Sequence, residues 1–160
     1  MWAGASTWIW FARRWADMGM TVRMDIGRFK EQLRAEVDKL HAATRPAAQA
    51  GVQIIYDRAR INAPVSDASH YFHIRGKKYG PYAPGNLRDS IYQVFSKDKS
   101  YKDVSTYQVS FNKDKAPYGY IVHNGTSRTA ADPFIARSVV ETRAQVREAI
   151  KTRYIAEVKK

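Results

Sequence analysis

SIYQVFSKDKSYKDVSTYQVSFNKDKAPYGYIVHNG, residues 90–125, decides the fold class of this chain. Residues 90–96 are rich in β-forming side chains, and residues 104–111 alternate between apolar and polar positions. Residues 118–123 form a third short run, which ends where an Asn-Gly pair favours a turn. Because the polar connections are too short to join parallel strands, the three runs predict an antiparallel meander.

The first helical region starts at Asp25, upstream of this meander. Its apolar residues lie three and four positions apart, as on one face of a helix, and they are Ile26, Phe29, Leu33, Val37 and Leu40. Pro46 interrupts the pattern and predicts a second helical segment with Thr44 as its N-cap. That segment carries a face of small residues, and it ends before Pro64 because the residue preceding a proline avoids helical angles.

A last helix is predicted from Asp132-Pro133, where the aspartate can cap and the proline can occupy the first position. Its inward stripe is expected to be Ile135, Val139, Thr142, Val146 and Ile150. Runs of helix and runs of strand, rather than alternating units, indicate an α+β fold. We therefore predict N-terminal helices, an antiparallel sheet of three to four strands, and a C-terminal helix packed on the sheet.

The 160 residues suffice for one domain, which is predicted to occupy residues 20–160. Residues 1–19 are rich in tryptophan and are interpreted as an N-terminal extension. We expect this extension to be either a mis-started segment, with true initiation at Met20 or Met24, or a disordered one. An interfacial amphipathic anchor is the alternative, since the apolar run is too short for a membrane span.

Residues 66–84 are rich in turn formers and predict a loop insertion. They combine aromatic and basic side chains, which suit either a protein interface or base stacking with phosphate contacts. The candidate interface or DNA-facing residues in this stretch are Tyr71, Phe72, Arg75, Lys77, Lys78, Tyr79 and Tyr82. A second basic set, Arg143, Arg147 and Lys151, repeats every four residues along the last helix. Like charges at that spacing repel weakly, so we expect either solvent or an anionic partner against them.

The charge balance of the chain favours a polyanionic partner. Lys and Arg number 27 against 15 Asp and Glu, which gives a formal net charge of +12. Nucleic acid is the first candidate for such a surface, and a solvated surface or an acidic partner protein is the other. The chain has no cysteine, which excludes disulfides, thiolate metal sites and cysteine nucleophiles.

Sequence patterns that indicate catalysis are sparse. His70 and His73 could present two imidazoles to a metal with Asp67 as a third ligand, but zinc sites need three or four ligands and nothing completes the set. His123 could act as a base, yet no nucleophile-elbow motif surrounds it. No glycine-rich phosphate loop occurs. We therefore predict a protein that is not an enzyme and has no cofactor or metal site.

Three segments, taken in order, carry a resemblance to a known family. Ala63-Pro64-Val65 closes the long helical region, and GNLRDSI at residues 85–91 leads into the first strand. YGYIVHNGT at residues 118–126 is then followed by Pro133-Phe134. This order resembles the gene-product-ten family of lambdoid phages, a family of head–tail joining, neck and tail-completion proteins that includes minor tail components.

The resemblance covers roughly residues 54–146 and departs from the family pattern at two places. Residues 66–84 lie where many relatives pass almost directly from the Ala-Pro-Val segment to the glycine. His123-Asn124 stands where relatives often carry a glutamate before the Gly-Thr pair. Both departures bear on polar and loop contacts, and neither touches the expected core.

The resemblance implies a structural protein of a tailed phage or prophage virion. Its subunits would form a homo-oligomeric ring, expected to be hexameric, between the head connector and the tail-tube or tail-terminator proteins. DNA would pass through the lumen and be contacted without sequence preference. Such a protein would reside in the neck or tail of the virion after assembly in the host cytoplasm, with no membrane partner. The alternative is a free, non-sequence-specific nucleic-acid-binding module.

Overall fold

The computed structural model describes residues 26–74 and 76–160. The extension predicted at residues 1–19 lies outside the described residues. The chain divides into two units, Met1–Ala35 and Glu36–Lys160. The second unit contains all of the described strands and every described helix after the first one.

The described helices and strands confirm the α+β fold. The α-helices are α1 (Gly27–Asn62), α2 (Asn86–Ser90), α3 (Gly119–Asn124) and α4 (Phe134–Val158). The strands are β1 (His70–Ile74), β2 (Lys77–Tyr82), β3 (Ile91–Phe95) and β4 (Tyr107–Phe111). β1 pairs with β2 and β3 pairs with β4, each antiparallel, so the four described strands form two sheets rather than one.

Helix α1 continues through Pro46, so the prediction of two separate helical segments was wrong. Thr44 does not cap a new helix, because its hydroxyl donates to the backbone carbonyl of Leu40 at 3.1 Å inside the continuing helix. A proline in a helix interior costs about 3 kcal/mol, since it removes one hydrogen bond and crowds the preceding turn. Ala43 and Ala47 beside it are each only 2 % exposed, so this part of the helix is packed within the second unit.

The apolar stripe predicted at the start of α1 lies on the helix surface. In the first unit Ile26, Phe29 and Leu33 are exposed, and in the second unit Val37 and Leu40 are exposed. The helix itself was predicted correctly from the spacing of these residues. A one-sided apolar pattern identifies a helix face, but it does not determine whether the same chain covers that face.

Helix α4 runs antiparallel to the part of α1 that belongs to the second unit. Asn62 Nδ2 donates to Ser138 Oγ at 2.9 Å. Farther along the pair, a Cβ atom placed on Gly51 would lie 2.6 Å from Cγ1 of Ile150. Because α1 presents Gly51 and buried Ala47 on this side, the two helices approach closely along the face of small residues.

The buried stripe of α4 agrees with the predicted one only in part, since Thr142 is buried as predicted and Ile135 packs against the core. Phe134, Ser138 and Thr142 are buried, whereas Val139 and Ile150 are 43 % and 37 % exposed. The Ser138 hydroxyl donates to the Phe134 carbonyl at 2.6 Å, and the Thr142 hydroxyl donates to the Ser138 carbonyl at 2.7 Å. Small hydroxyl residues can therefore face α1 without an unsatisfied polar group, which apolar periodicity alone does not reveal.

Two segments adopt a different element type from the one predicted. Residues 66–84, predicted as a loop, contain the hairpin of β1 and β2, in which turn-forming residues occupy strand positions. Residues 118–123, predicted as a strand, form most of helix α3, and the Val122 amide donates to the Tyr118 carbonyl at 3.1 Å. Tyr118, Ile121 and Val122 are spaced three and four apart, so their apolar pattern fits a short helix as well as a strand.

The hydrophobic core joins α1, α2, β3 and α4. Its buried members are Ala59, Ala63, Leu87, Ile91, Ala116, Tyr118 and Phe134. The motif segments quoted for the phage-family resemblance contribute Ala63, Leu87, Ile91, Tyr118 and Phe134. Gly85 and Gly125 have positive φ angles of 79° and 73°, which glycine adopts readily, and Gly85 has the left-handed helical conformation.

Candidate assembly and nucleic-acid surfaces

The outer face of the β1–β2 hairpin is aromatic and basic. Tyr71 is 52 % exposed, and Lys78 on the neighbouring strand is exposed as well. Lys78 Nζ lies 3.7 Å from the centroid of the Tyr71 ring, which is a cation–π contact. Tyr71 and Lys78, both predicted from sequence, therefore share this surface. Arg75, also predicted there, lies outside the described residues.

The opposite face of the same hairpin carries the other described residues of the predicted set. Tyr79, 39 % exposed, pairs with Phe72 across the hairpin and so lies on this face, and Lys77, two residues before it, lies there too and is exposed. Phe72 and Tyr82 on this face pack inward. Their ring centroids lie 5.3 Å and 4.9 Å from that of Tyr118. The His70 ring lies 5.0 Å from the same tyrosine in an edge-on arrangement. Phe72 and Tyr82 are thus half-buried packing residues that attach the hairpin to the core, because alternate residues of a strand point to opposite faces.

A cavity of about 390 Å³ lies between the hairpin and helix α3. Ser66 Oγ and His70 Nδ1, both on its wall, are 3.2 Å apart and within hydrogen-bond distance. None of the described residues that line this cavity carries a carboxylate. Among the described residues there is no group of three His, Cys, Asp or Glu side chains placed to hold a metal. His123, the other predicted candidate base, lies edge-on to Phe134 with ring centroids 5.4 Å apart.

The basic stripe of α4, formed by Arg143, Arg147 and Lys151, is exposed along its whole length. None of its three members forms an ion pair with any described carboxylate. On the same helix Arg153 does pair with Glu157, at 2.8 Å, four residues away. The basic stripe therefore presents three uncompensated cations to solvent in the part of the chain that the structure describes.

A partly exposed ion pair joins α1 to α4. Arg58 Nε donates to Glu141 Oε2 at 2.6 Å, and Asn62 Nδ2 donates to the same oxygen at 2.9 Å. The Asn62 hydrogen bond, followed by that of Arg58, holds the pKa of Glu141 below the ordinary glutamate value. The Glu141 carboxylate and its two donors thus connect the two long helices within the second unit.

A second ion cluster joins α1 to α2 beside a cleft of about 460 Å³. Asp89 accepts hydrogen bonds from Arg88 Nε at 3.1 Å and from Arg60 Nη2 at 3.0 Å. Hydrogen bonding to Arg88 is the main cause that lowers the pKa of Asp89, and the same carboxylate raises the pKa of Arg60. Because Asp89 neutralises both neighbours in part, this cluster fastens the motif segment that contains α2 to α1.

The outer face of β3 is a surface that the sequence analysis did not single out. Tyr92 and Val94 are 43 % and 44 % exposed, whereas Ile91 is 4 % exposed. On the inner face Gln93 Nε2 donates to Gln53 Oε1 of α1 at 2.7 Å. The sequence of β3 assigns alternate residues to two faces. Which of these faces is exposed becomes apparent only once α1 is known to cover the other one.

Comparisons with protein-family models, with curated proteins and with solved structures found no match for this chain. In the described part of the chain, no helix is long and apolar enough to cross a membrane.

Proposed function

We propose that this chain is a structural virion protein of a tailed phage or prophage. It joins the head connector to the tail, or completes the tail, by assembling with copies of itself into a ring in the neck or tail. The observation that carries the proposal is the gathering of the motif residues in one core. Leu87, Ile91 and Phe134 are 2 %, 4 % and 0 % exposed and belong to the same buried cluster.

This gathering supports the resemblance because it gives the ordered motifs one physical cause. Ala63 directly follows α1, and the left-handed turn at Gly85 directs Leu87 and Ile91 into the cluster that contains it. Phe134, at the start of α4, closes the cluster from the other side, with its ring centroid 6.3 Å from that of Phe111. Each motif has low specificity by itself, but the packing of their residues in one core gives the motifs a shared structural role.

Exposed apolar surface supports assembly. Val140 on α4 is 75 % exposed, and Ile61 near the end of α1 is 72 % exposed. Single exposed apolar residues are common on monomers, but large ones on several elements suit a protein that buries them in an oligomer. The outer face of β3 adds Tyr92 and Val94 to this surface.

The charge of the chain supports contact with DNA in the lumen of the ring. The basic stripe on α4 has no described carboxylate partner, and the formal net charge is +12. Phosphate contacts made by such residues depend on salt and carry no sequence information. DNA passing through a ring needs this kind of contact, since the ring has to accept any sequence.

A direct test is the composition of virions. Induction of the host prophage, or infection by the phage that carries this gene, should give particles containing the chain at a fixed copy number. Labelled protein is expected at the head–tail junction or on the tail in electron micrographs. Particles that lack the chain while it stays in the host cell in soluble form would contradict the proposal.

The second candidate, a free nucleic-acid-binding module, is favoured by the Tyr71–Lys78 pair on the outer face of the hairpin. An exposed aromatic ring with a lysine against it can stack a base beside a phosphate contact. This function predicts that Tyr71→Ala weakens binding to single-stranded DNA, with Tyr101→Ala, at another exposed tyrosine, as the control. If the chain is a virion protein instead, we expect no such difference between the two variants.

A further inference from the structure

The two strands of the β3–β4 sheet leave hydrogen-bonding groups unused along both edges. The Asn112 amide donates to the Ser90 carbonyl and the Ser96 amide donates to the Thr106 carbonyl, each at 2.9 Å. Backbone groups in an antiparallel pair alternate between facing the partner and facing away. It follows that the backbone hydrogen bonds across the sheet join Tyr92 to Ser110 and Val94 to Gln108, as well as the two terminal pairs just named.

The intervening residues direct their backbone groups outward. On β3 these are Gln93 and Phe95, and on β4 they are Tyr107 and Val109. None of these four backbones makes a hydrogen bond with another described residue outside the strand pair. A two-stranded sheet is marginally stable by itself, and both of its edges offer groups to a further strand.

These edges lack the features that usually prevent strands from pairing with other molecules. β3 (IYQVF) and β4 (YQVSF) contain no charged residue, no proline and no glycine. The hairpin of β1 and β2 contains Lys77, Lys78, Gly80 and Pro81, together with a bulge in its register. Charge, proline and bulges are the common means of protecting an edge. One described sheet is therefore protected, and the other is not.

We propose that the β3–β4 sheet is completed by a second copy of this chain, with the free edge of β4 in one subunit pairing with the free edge of β3 in the next. A partner that donated one strand would satisfy one edge and leave the other unpaired. Head-to-tail pairing of identical subunits satisfies both, because each subunit offers one edge of each kind. In this arrangement β3 of the next subunit runs in the same direction as β3 of the first. It is therefore antiparallel to the β4 strand with which it pairs.

Charge and apolar surface agree with this occupant. Subunits that each carry a formal net charge of +12 repel one another, and the uncharged strands are a place where two copies can approach. Tyr92 and Val94, exposed in the single chain, would lie beside the neighbour's Gln108 and Ser110 on one continuous sheet face. Heterologous pairing of this kind generates a closed ring when the rotation between subunits permits it. The inference rests on the proposed function and assigns the contact that builds the ring.

Disulfide trapping in the full chain tests this pairing, because the natural sequence has no cysteine. The single-cysteine variants are Tyr92→Cys and Val94→Cys on β3, and Gln108→Cys and Ser110→Cys on β4. In the proposed contact these positions form the close, non-hydrogen-bonded pairs, whose Cα separation of about 4.5 Å suits a disulfide. A single cysteine cannot close a bond within its own chain, so every disulfide reports a contact between copies.

Each β3 variant is mixed with each β4 variant and oxidised, and variants of the same strand are mixed as controls. We expect disulfide dimers in the β3–β4 mixtures, strongest for the combination that matches the register, and none in same-strand mixtures. Dimers confined to same-strand mixtures, or no dimers in any mixture, would overturn the inference. The mass of the unaltered protein, measured in parallel, separates the two proposals. A ring without β3–β4 disulfides rejects only the strand pairing, whereas a monomer without disulfides rejects the ring as well.

Discussion

Gly51 of α1 and Ile150 of α4 are so close that a Cβ atom on the glycine would lie 2.6 Å from the isoleucine Cγ1. Val146 Cγ1 lies 3.3 Å from the same point, so the space is bounded by two side chains of α4. Glycine lowers helix stability by about 1 kcal/mol relative to alanine, and its presence in mid-helix is explained by this contact. The close approach of the two long helices in the second unit therefore depends on this position.

Gly51→Val is expected to destabilise the protein by about 2 kcal/mol, because the added methyl groups force α4 away from α1. The measurement is the free energy of unfolding in urea. Gln49→Val places the same residue on an exposed position of α1 and is expected to change stability by less than about 0.5 kcal/mol. Equal effects of the two variants would show that the helices do not depend on this contact.

The ion pair between α1 and α4 predicts a pH dependence of stability. The pKa of Glu141 is lowered in the folded protein by Asn62 and Arg58. A carboxyl group whose pKa is lowered by folding stabilises the fold above its ordinary pKa. That stabilisation disappears as the pH falls through the lowered value. Glu141→Gln should therefore reduce stability at neutral pH, and the difference from the natural protein should shrink in acid.

Unfolding midpoints measured from neutral pH down to the acid limit of folding check this. Glu148→Gln is the control on the same helix, since Glu148 forms no ion pair with a described residue. A difference between Glu141→Gln and the natural protein that stayed constant with pH would count against the assigned ion pair.

The sequence was sufficient for the fold class and for part of the core. Leu87, Ile91 and Phe134 lie in the short motifs quoted for the family resemblance, and all three are buried. The prediction of element type failed at residues 118–123, because their apolar positions fit both a strand and a short helix. It failed again at Pro46, where helix α1 continues through a residue that usually ends or kinks a helix.

The surface sites could be predicted only in part. The basic stripe on α4 was found from its spacing and is exposed as expected of either a solvated or a DNA-facing set. Within residues 66–84 the aromatic residues were grouped together, whereas strand alternation sends Tyr71 outward and Phe72 inward. The free edge of β4 was not predicted, since it exists because residues 118–123 do not supply a third strand beside it.

DNA binding should depend on the basic stripe of α4. Replacing Arg143, Arg147 and Lys151 with glutamine is expected to lower affinity for duplex DNA of any sequence. It should also reduce the slope of log affinity against log salt by about one for each phosphate that the protein no longer neutralises. Fluorescence anisotropy at several salt concentrations measures both quantities.

The matched control removes the same charge elsewhere. Lys97, Lys99 and Lys102 are exposed in the connection between β3 and β4, and their replacement with glutamine changes the net charge equally. We expect a smaller decrease in affinity and an almost unchanged salt slope for this control. The same decrease in both triple variants would mean that net charge, rather than the stripe, determines binding.

Assembly of the chain with itself is the central claim, and the mass of the purified full-length protein in solution tests it most directly. Light scattering behind a sizing column, at low and at high salt and over a range of protein concentrations, gives this mass. We predict a closed oligomer of several subunits that persists at high salt, because apolar surface and strand pairing hold it together. A mass equal to that of one chain, 18.3 kDa, at every salt and concentration would contradict the claim.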